Sequence, residues 1–219
     1  MSNKAFWPVP VLSASAFFLG LGFVISRGSS AGTKGMFTKE LDEALLAGEI
    51  DLECGSTTNN AARQKDVAFV VTTYVEEVRI AVKANSGITS IAQLNGKNVA
   101  TTTGTTSVQL LRKHERATGV DFKEVLGKDH ADSFLLLESG RADAFVMDGS
   151  ILAGNIALSK NPSDFRIAGE VLSVEPIAIM MRKDDAAFKK VADDTIRGLA
   201  QSGELAKIYD KWFVQPIPP

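Results

Sequence analysis

One cysteine, Cys54, and two histidines, His114 and His130, are all that 219 residues contain of either type. A lone cysteine excludes an intramolecular disulfide framework, and so few soft ligands give no metal-ligand spacing, so neither a metal nor a cofactor is expected. Aromatic residues make up 7% of the chain, and 24 Lys and Arg stand against 26 Asp and Glu with no basic cluster. That balance excludes the footprint of a nucleic-acid surface. What is present, 45% hydrophobic and 23% charged residues, is the composition of an ordinary globular chain with material for one large domain or two small ones.

Charge is missing altogether from residues 5 to 26, where Val11, Leu12, Phe17, Phe18, Leu19, Leu21, Phe23, Val24 and Ile25 gather between Lys4 and Arg27. At roughly 20 residues the run could span a bilayer, but Pro8 and Pro10 shorten its apolar centre to the size of a signal h-region. Residues 1–27 are therefore expected to be an export signal or an uncleaved anchor rather than a buried helix, which would need apolar cover on all sides. Residues 28–48 read as a Gly/Ser-rich linker followed by a short helix.

Two stretches repeat one pattern. Gly48-Glu49-Ile50-Asp51-Leu52-Glu53-Cys54 and Gly140-Arg141-Ala142-Asp143-Ala144-Phe145-Val146 each follow an apolar helical run, Leu45-Leu46 in one case and Leu135-Leu136-Leu137 in the other. A glycine helix cap feeding a strand explains both. The chain thus reads as α/β with two similar lobes: residues 49–83 and 177–219 in a discontinuous first lobe, and 84–176 in a second. Tyr74 to Lys83 and Glu175 to Met181 are expected to be strands crossing between them, a double connection suited to hinge closure on a ligand. Phe188, Val191, Thr195 and Leu199 mark a helix packing back on the first lobe, with Leu205, Ile208 and Trp212 marking another.

Three constellations follow strand ends, where open α/β sheets place ligands. Ser56, Thr58 and Arg63 offer two hydroxyls and a planar cationic fork that matches a carboxylate; the alternative is a turn with capping hydroxyls and a solvated arginine. Gly104, Thr105, Thr106 and Ser107 open a helix and could hold an anion on its N–H groups, or form only an N-cap turn. Asp148 could hold an ammonium group, or cap the helix after it. Asp129-His130 has the look of a catalytic dyad, but no activated nucleophile accompanies it. A positive receptor and a negative one on opposite lobes describe an α-amino acid better than a sugar or a metal.

From residue 49 onward the chain resembles the periplasmic glutamate/aspartate-binding proteins of amino-acid ABC transporters, within the family 3 extracellular solute-binding proteins. The resemblance rests on Asp51-Leu52-Glu53-Cys54-Gly55-Ser56-Thr57-Thr58-Asn59-Asn60 with Arg63-Gln64-Lys65, on Gly104-Thr105-Thr106-Ser107, on Lys128-Asp129-His130 with Asp132-Ser133-Phe134, and on Leu137-Glu138-Ser139-Gly140-Arg141-Ala142. Arg182-Lys183-Asp184-Asp185, Lys211-Trp212-Phe213 and Pro216-Ile217-Pro218-Pro219 extend it. It implies a two-lobed periplasmic-binding-protein-like fold of type II with hinge strands. It also implies a ligand α-carboxylate gripped by Arg63, Ser56, Thr58 and the Gly104–Thr106 turn, an ammonium held by Asp148, and His130 against the side-chain carboxylate.

The stretch before Ile50 departs from the family pattern, and Val70 stands where the family usually has a serine. The first lobe is accordingly expected to be incomplete, with unpaired sheet edges that favour self-association. The expectation that follows is an exported periplasmic capture subunit, either free or anchored to the inner membrane through residues 5–26, not an enzyme, that closes on L-glutamate or L-aspartate and delivers it to permease subunits. The alternatives are a remnant without function, or an enzyme such as a dehydratase using His130, Glu53 or Asp148 as acid or base.

Overall fold

The computed structural model describes residues 23–25 and 38–214. Most of the apolar run over 5–26, most of the linker and the closing prolines lie outside the described residues. Of the run, Phe23–Ile25 forms a strand, β1, paired antiparallel with Leu52–Cys54, β2.

Thr38–Ala47 forms helix α1, and its Leu41, Ala44 and Leu45 are buried on one face as the spacing requires. Gly48 ends it at φ +72°, with Glu49 N–H donating to the Ala44 carbonyl at 2.9 Å and Gly48 N–H to Leu45 at 3.1 Å. That is the Schellman arrangement, and it needs a residue without Cβ strain at positive φ. The repeated stretch does the same job: Gly140 sits at φ +77° and donates to Leu137 at 3.1 Å. Both helix ends turn the chain straight into a strand.

The first sheet is small, in the order β1-β2-β9-β3, where β3 is Ala68–Phe69 and β9 is Met180–Met181. Its core of Leu45, Leu52, Val67, Phe69, Met180 and Met181 takes in Phe188, Ala192 and Ile196 from α5, Ala186–Gln201. The buried stripe is therefore 188/192/196, and not the 188/191/195/199 set read from the sequence. Val191 is 62% exposed, because a strict four-residue step carries the contact along a helix crossing the sheet at one patch. Asp193 on the same face accepts from Val71 N–H at 2.8 Å and Lys189 Nζ at 2.6 Å, which pins α5 to the first lobe.

The second sheet has five strands in the order β6-β5-β7-β4-β8. These are β4 Tyr74–Lys83, β5 Asn98–Thr102, β6 Lys123–Gly127, β7 Ala144–Asp148 and β8 Phe165–Ile177. β5 runs parallel to β6 and β7, whereas β4 is antiparallel to β7 and β8. Side chains alternate between two buried faces. Val78, Ile80, Val82, Val99 and Val146 join Leu111 of α2, Thr106–Thr118, on one side. Ala81, Ala100, Phe145 and Met147 meet Phe134 and Leu137 of α3, His130–Glu138, and Leu152 of α4, Gly149–Leu158, on the other.

The expected crossing strands are present with shifted bounds. All of Tyr74–Lys83 pairs within the second sheet, and the second crossing is two pieces: β8 reaches back to Phe165, and β9 begins only at Met180. β4 and β8 pair from Tyr74↔Ile177 to Lys83↔Phe165, with an irregularity between Val78 and Ile80. The strand β6 has no counterpart in the sequence reading, since Lys123-Glu124-Val125-Leu126-Gly127 carries too little alternation to announce an edge strand.

At the end of β6 the chain touches α3 so closely that a Cβ on Gly127 would lie 2.6 Å from the Ser133 backbone nitrogen. Gly127→Ala is expected to cost about 1–3 kcal/mol through overpacking and to lower the thermal midpoint; an unchanged melt would contradict this packing.

Candidate functional site

Three strand ends open toward one region, as open α/β sheets favour. β2 ends at Cys54 before the turn Gly55–Asn60, β5 ends at Thr102 before Gly104–Thr106, and β7 ends at Asp148 before α4. Asn60 Oδ1 accepts from the N–H groups of Ala62 and Arg63 at 3.1 and 3.0 Å, an Asx-type turn that starts the 3₁₀ turn Arg63–Lys65. From there the Arg63 guanidinium donates to the Thr58 carbonyl at 2.9 Å through Nη1 and to the Gly104 carbonyl at 3.5 Å through Nη2. One permanently charged group thus ties the first-lobe turn to the second-lobe turn.

Gly104 takes φ +80°, a left-handed conformation that glycine adopts without strain. It turns the chain so that the first N–H groups of α2 face outward from the β5 end. Thr105 precedes α2 without capping it: its hydroxyl donates back to the Thr102 carbonyl at 2.7 Å. Thr105 thus holds the N-cap position of the turn by its backbone, while its side chain serves the end of β5.

Sequence reasoning passed over Glu175. The hydroxyls of Thr58 and Thr106, one from each lobe, both donate to Glu175 Oε2, the second at 2.8 Å. Backbone pairing supports the same contact, since Thr58 bridges Ile177 and Asn59 N–H donates to the Pro176 carbonyl at 2.9 Å. A ligand carboxylate drawing on these hydroxyls must share or displace a protein carboxylate. Ser56 sits half-buried in the turn beside them. The sequence signal was available: a glutamate at an inward position of a strand already read as a hinge.

Asp148 is 1% exposed, and among the described residues neither carboxylate oxygen has a hydrogen-bond donor. It precedes α4 yet does not cap it. Glu76 of β4 does that instead, accepting from Ser150 N–H at 3.4 Å and from the Ser150 hydroxyl, while Glu77 N–H donates to it at 3.0 Å. With its capping role taken, the Asp148 carboxyl is held well above the usual carboxylate range, first by burial and then by the charges of Glu76 and Glu175, with Arg63 opposing. Such a group is stabilised by an incoming cation.

Asp129 and His130 form no dyad. Asp129 caps α3 by accepting from Asp132 N–H at 2.8 Å, and His130, at the first turn of α3, places Nδ1 2.9 Å from Thr102 Oγ1. Burial pushes its imidazole down to about 3, so it is neutral at physiological pH. The Cys54 thiol is pushed up to about 12 by burial and the adjacent Glu53 charge, which removes it as a nucleophile. Among the described residues no group of three or more His, Cys, Asp and Glu is placed to hold a metal ion.

The folded-state value of Asp148 lies above the ordinary 3.8, so its contribution to stability is complete below that pH and is lost as pH rises through the folded value. Asp148→Asn should therefore melt increasingly above the parent protein as pH goes from 4 to 8, at about 2–4 °C per kcal/mol of relief; a difference constant with pH would contradict the buried-charge account.

Residues 33–215 match the family model for bacterial extracellular solute-binding proteins, family 3. The chain is 48% identical over 172 residues to the L-glutamate/L-aspartate-binding protein of Pseudomonas aeruginosa, covering 78% of this chain and 57% of that protein. It is also 48% identical over 175 residues to the glutamate/aspartate import solute-binding protein of Escherichia coli, covering 80% and 58% respectively. The chain thus spans somewhat over half the length of these relatives. Among solved structures, an ancestral arginine-binding protein bound to glutamine superposes with a TM-score of 0.77 at 28% identity, covering 91% of this chain and 95% of that one. The substrate-binding protein of an amino acid ABC transporter gives 0.74 at 31% identity, covering 83% and 79%. The chain belongs to the bacterial extracellular solute-binding proteins, family 3.

Proposed function

We propose that this family member captures an acidic amino acid, L-glutamate or L-aspartate, in the periplasm and hands it to the permease subunits of an ABC importer. The observation that carries the reading is the pairing of opposite receptors at neighbouring strand ends: the Arg63 guanidinium beside the α2 N-terminus, and the buried Asp148 carboxyl, without a donor among the described residues. An α-amino acid carries the two complementary charges at fixed separation. Arg63 and the N–H groups of the Gly104–Thr106 turn receive the α-carboxylate, with Ser56, Thr58 and Thr106 lining it, and Asp148 takes the ammonium. The names of the relatives support the acidic preference. Closure of the two lobes about β4 and β8 would exclude water from these contacts.

Capture is favoured over turnover by the printed names of the relatives, which are binding proteins, and by the state of His130. A general acid or base works best with its titration near the operating pH, whereas burial pushes His130 down to about 3. A neutral His130 ring can also face an amide, which makes L-glutamine the informative third ligand. Among the described residues no helix is long and apolar enough to cross a membrane; whether residues 5–26 act as signal or anchor belongs to the same proposal.

Removing one member of a desolvated charge pair costs about 2–5 kcal/mol, or roughly 30-fold and upward in affinity. Arg63→Ala is accordingly expected to weaken L-glutamate and L-aspartate binding by at least that factor in titration calorimetry, with the fold retained; unchanged affinity would remove Arg63 from the site.

A further inference from the structure

Register on the β4/β8 ribbon sets Glu76 directly opposite Glu175, and like charges so placed on antiparallel strands repel. Both are buried, 8% and 7% exposed. Asp148, in register with Val78, lies one step along β4 from Glu76 on the same face. The groups that face this cluster are the Arg63 guanidinium, which counters Asp148, and the Tyr74 hydroxyl. The latter is raised by burial and then by Glu76, Asp148 and Glu53, so it stays neutral and adds no negative charge to the cluster.

The three carboxylates differ in how they are held. Glu76 is fixed at the start of α4 by Ser150 and by Glu77 N–H. Glu175 receives both of its hydroxyl donors, Thr58 and Thr106, on Oε2, and the described residues present no donor to Oε1. Asp148 has no donor on either oxygen among the described residues. Asp148, buried and set beside Glu76 and Glu175, is the member whose carboxyl is held toward its protonated form, with Arg63 opposing.

We propose that Glu175 shares with Asp148 the ammonium group of the captured amino acid, and that this group enters in exchange for a proton held on the Asp148 carboxyl. The proton leaves to solvent and the ligand nitrogen stays protonated, so charge is conserved within the cluster. The inference rests on the amino-acid reading above and adds two residues to it: Glu175 as a second ammonium partner, and Glu76 as the neighbour that, after burial, raises the Asp148 carboxyl. Because ligand and proton compete, affinity rises with pH across the range in which the cluster gives up its proton.

The test is titration calorimetry of the full chain with L-glutamate in phosphate and in Tris, whose ionisation heats differ, at pH 6, 7 and 8. The expected result is a buffer-dependent heat corresponding to release of up to one proton per ligand. Glu175→Gln should bind about tenfold or more weakly, and Glu76→Gln should release a smaller fraction of a proton. Thermal melts establish that each variant is folded, and where one is not, the buffer comparison on the parent protein decides. Saturable binding with equal heats in both buffers, and an unchanged Glu175→Gln affinity, overturns this inference while leaving amino-acid capture standing. No saturable binding by folded protein overturns both.

Discussion

Burial of acid on the ribbon that joins the two lobes is the constraint around which the rest of the cleft is arranged. Glu76 opposes Glu175 across β4 and β8, and Asp148 ends the neighbouring strand with no donor among the described residues. Each neighbouring group can be understood as an answer to that charge. Ser150 and the start of α4 take Glu76, the Thr58 and Thr106 hydroxyls take Glu175, and Arg63 offsets Asp148 from across the cleft. The site is assembled from both lobes because the donors that satisfy Glu175 come one from each.

The apolar layers fix where this cluster can sit. Alternation along β4 and β7 buries both faces of the second sheet, so polar residues can gather only where the strands run out, at their ends. The same geometry explains the two glycine caps: Gly48 and Gly140, both at positive φ, return α1 and α3 into β2 and β7, whose ends carry the first-lobe turn and Asp148. The repeat noticed in the sequence is therefore a repeat of how a strand end is delivered to the cleft.

Much of this was legible from residues alone. The face of α1, the helix that follows Gly104, the strand β7, the paired crossings and the family resemblance follow from periodicity, caps and motif spacing, and the match over residues 33–215 agrees with the resemblance. Sequence reasoning failed where tertiary context overrides local pattern. It put Val191 on the buried stripe of α5 because three-residue and four-residue steps are equivalent until a partner surface chooses between them. It missed β6, an edge strand with little alternation. It left Asp148 undecided between cap and ligand group, because only the pairing of β4 with β7 shows that Glu76 has taken the cap. Glu175 escaped notice because a charged residue in a strand reads as solvent-facing until its opposite partner is known.

The central claim is that the cleft recognises an amino acid by both of its ends, with the ammonium as essential as the carboxylate. Titration calorimetry comparing L-glutamate with glutarate, which keeps both carboxylates and lacks the ammonium, tests it most directly. The account predicts saturable binding of L-glutamate and none, or binding weakened by at least about 30-fold, for glutarate. Equal affinity for the two would contradict it, since Asp148 would then have no part in holding the ligand.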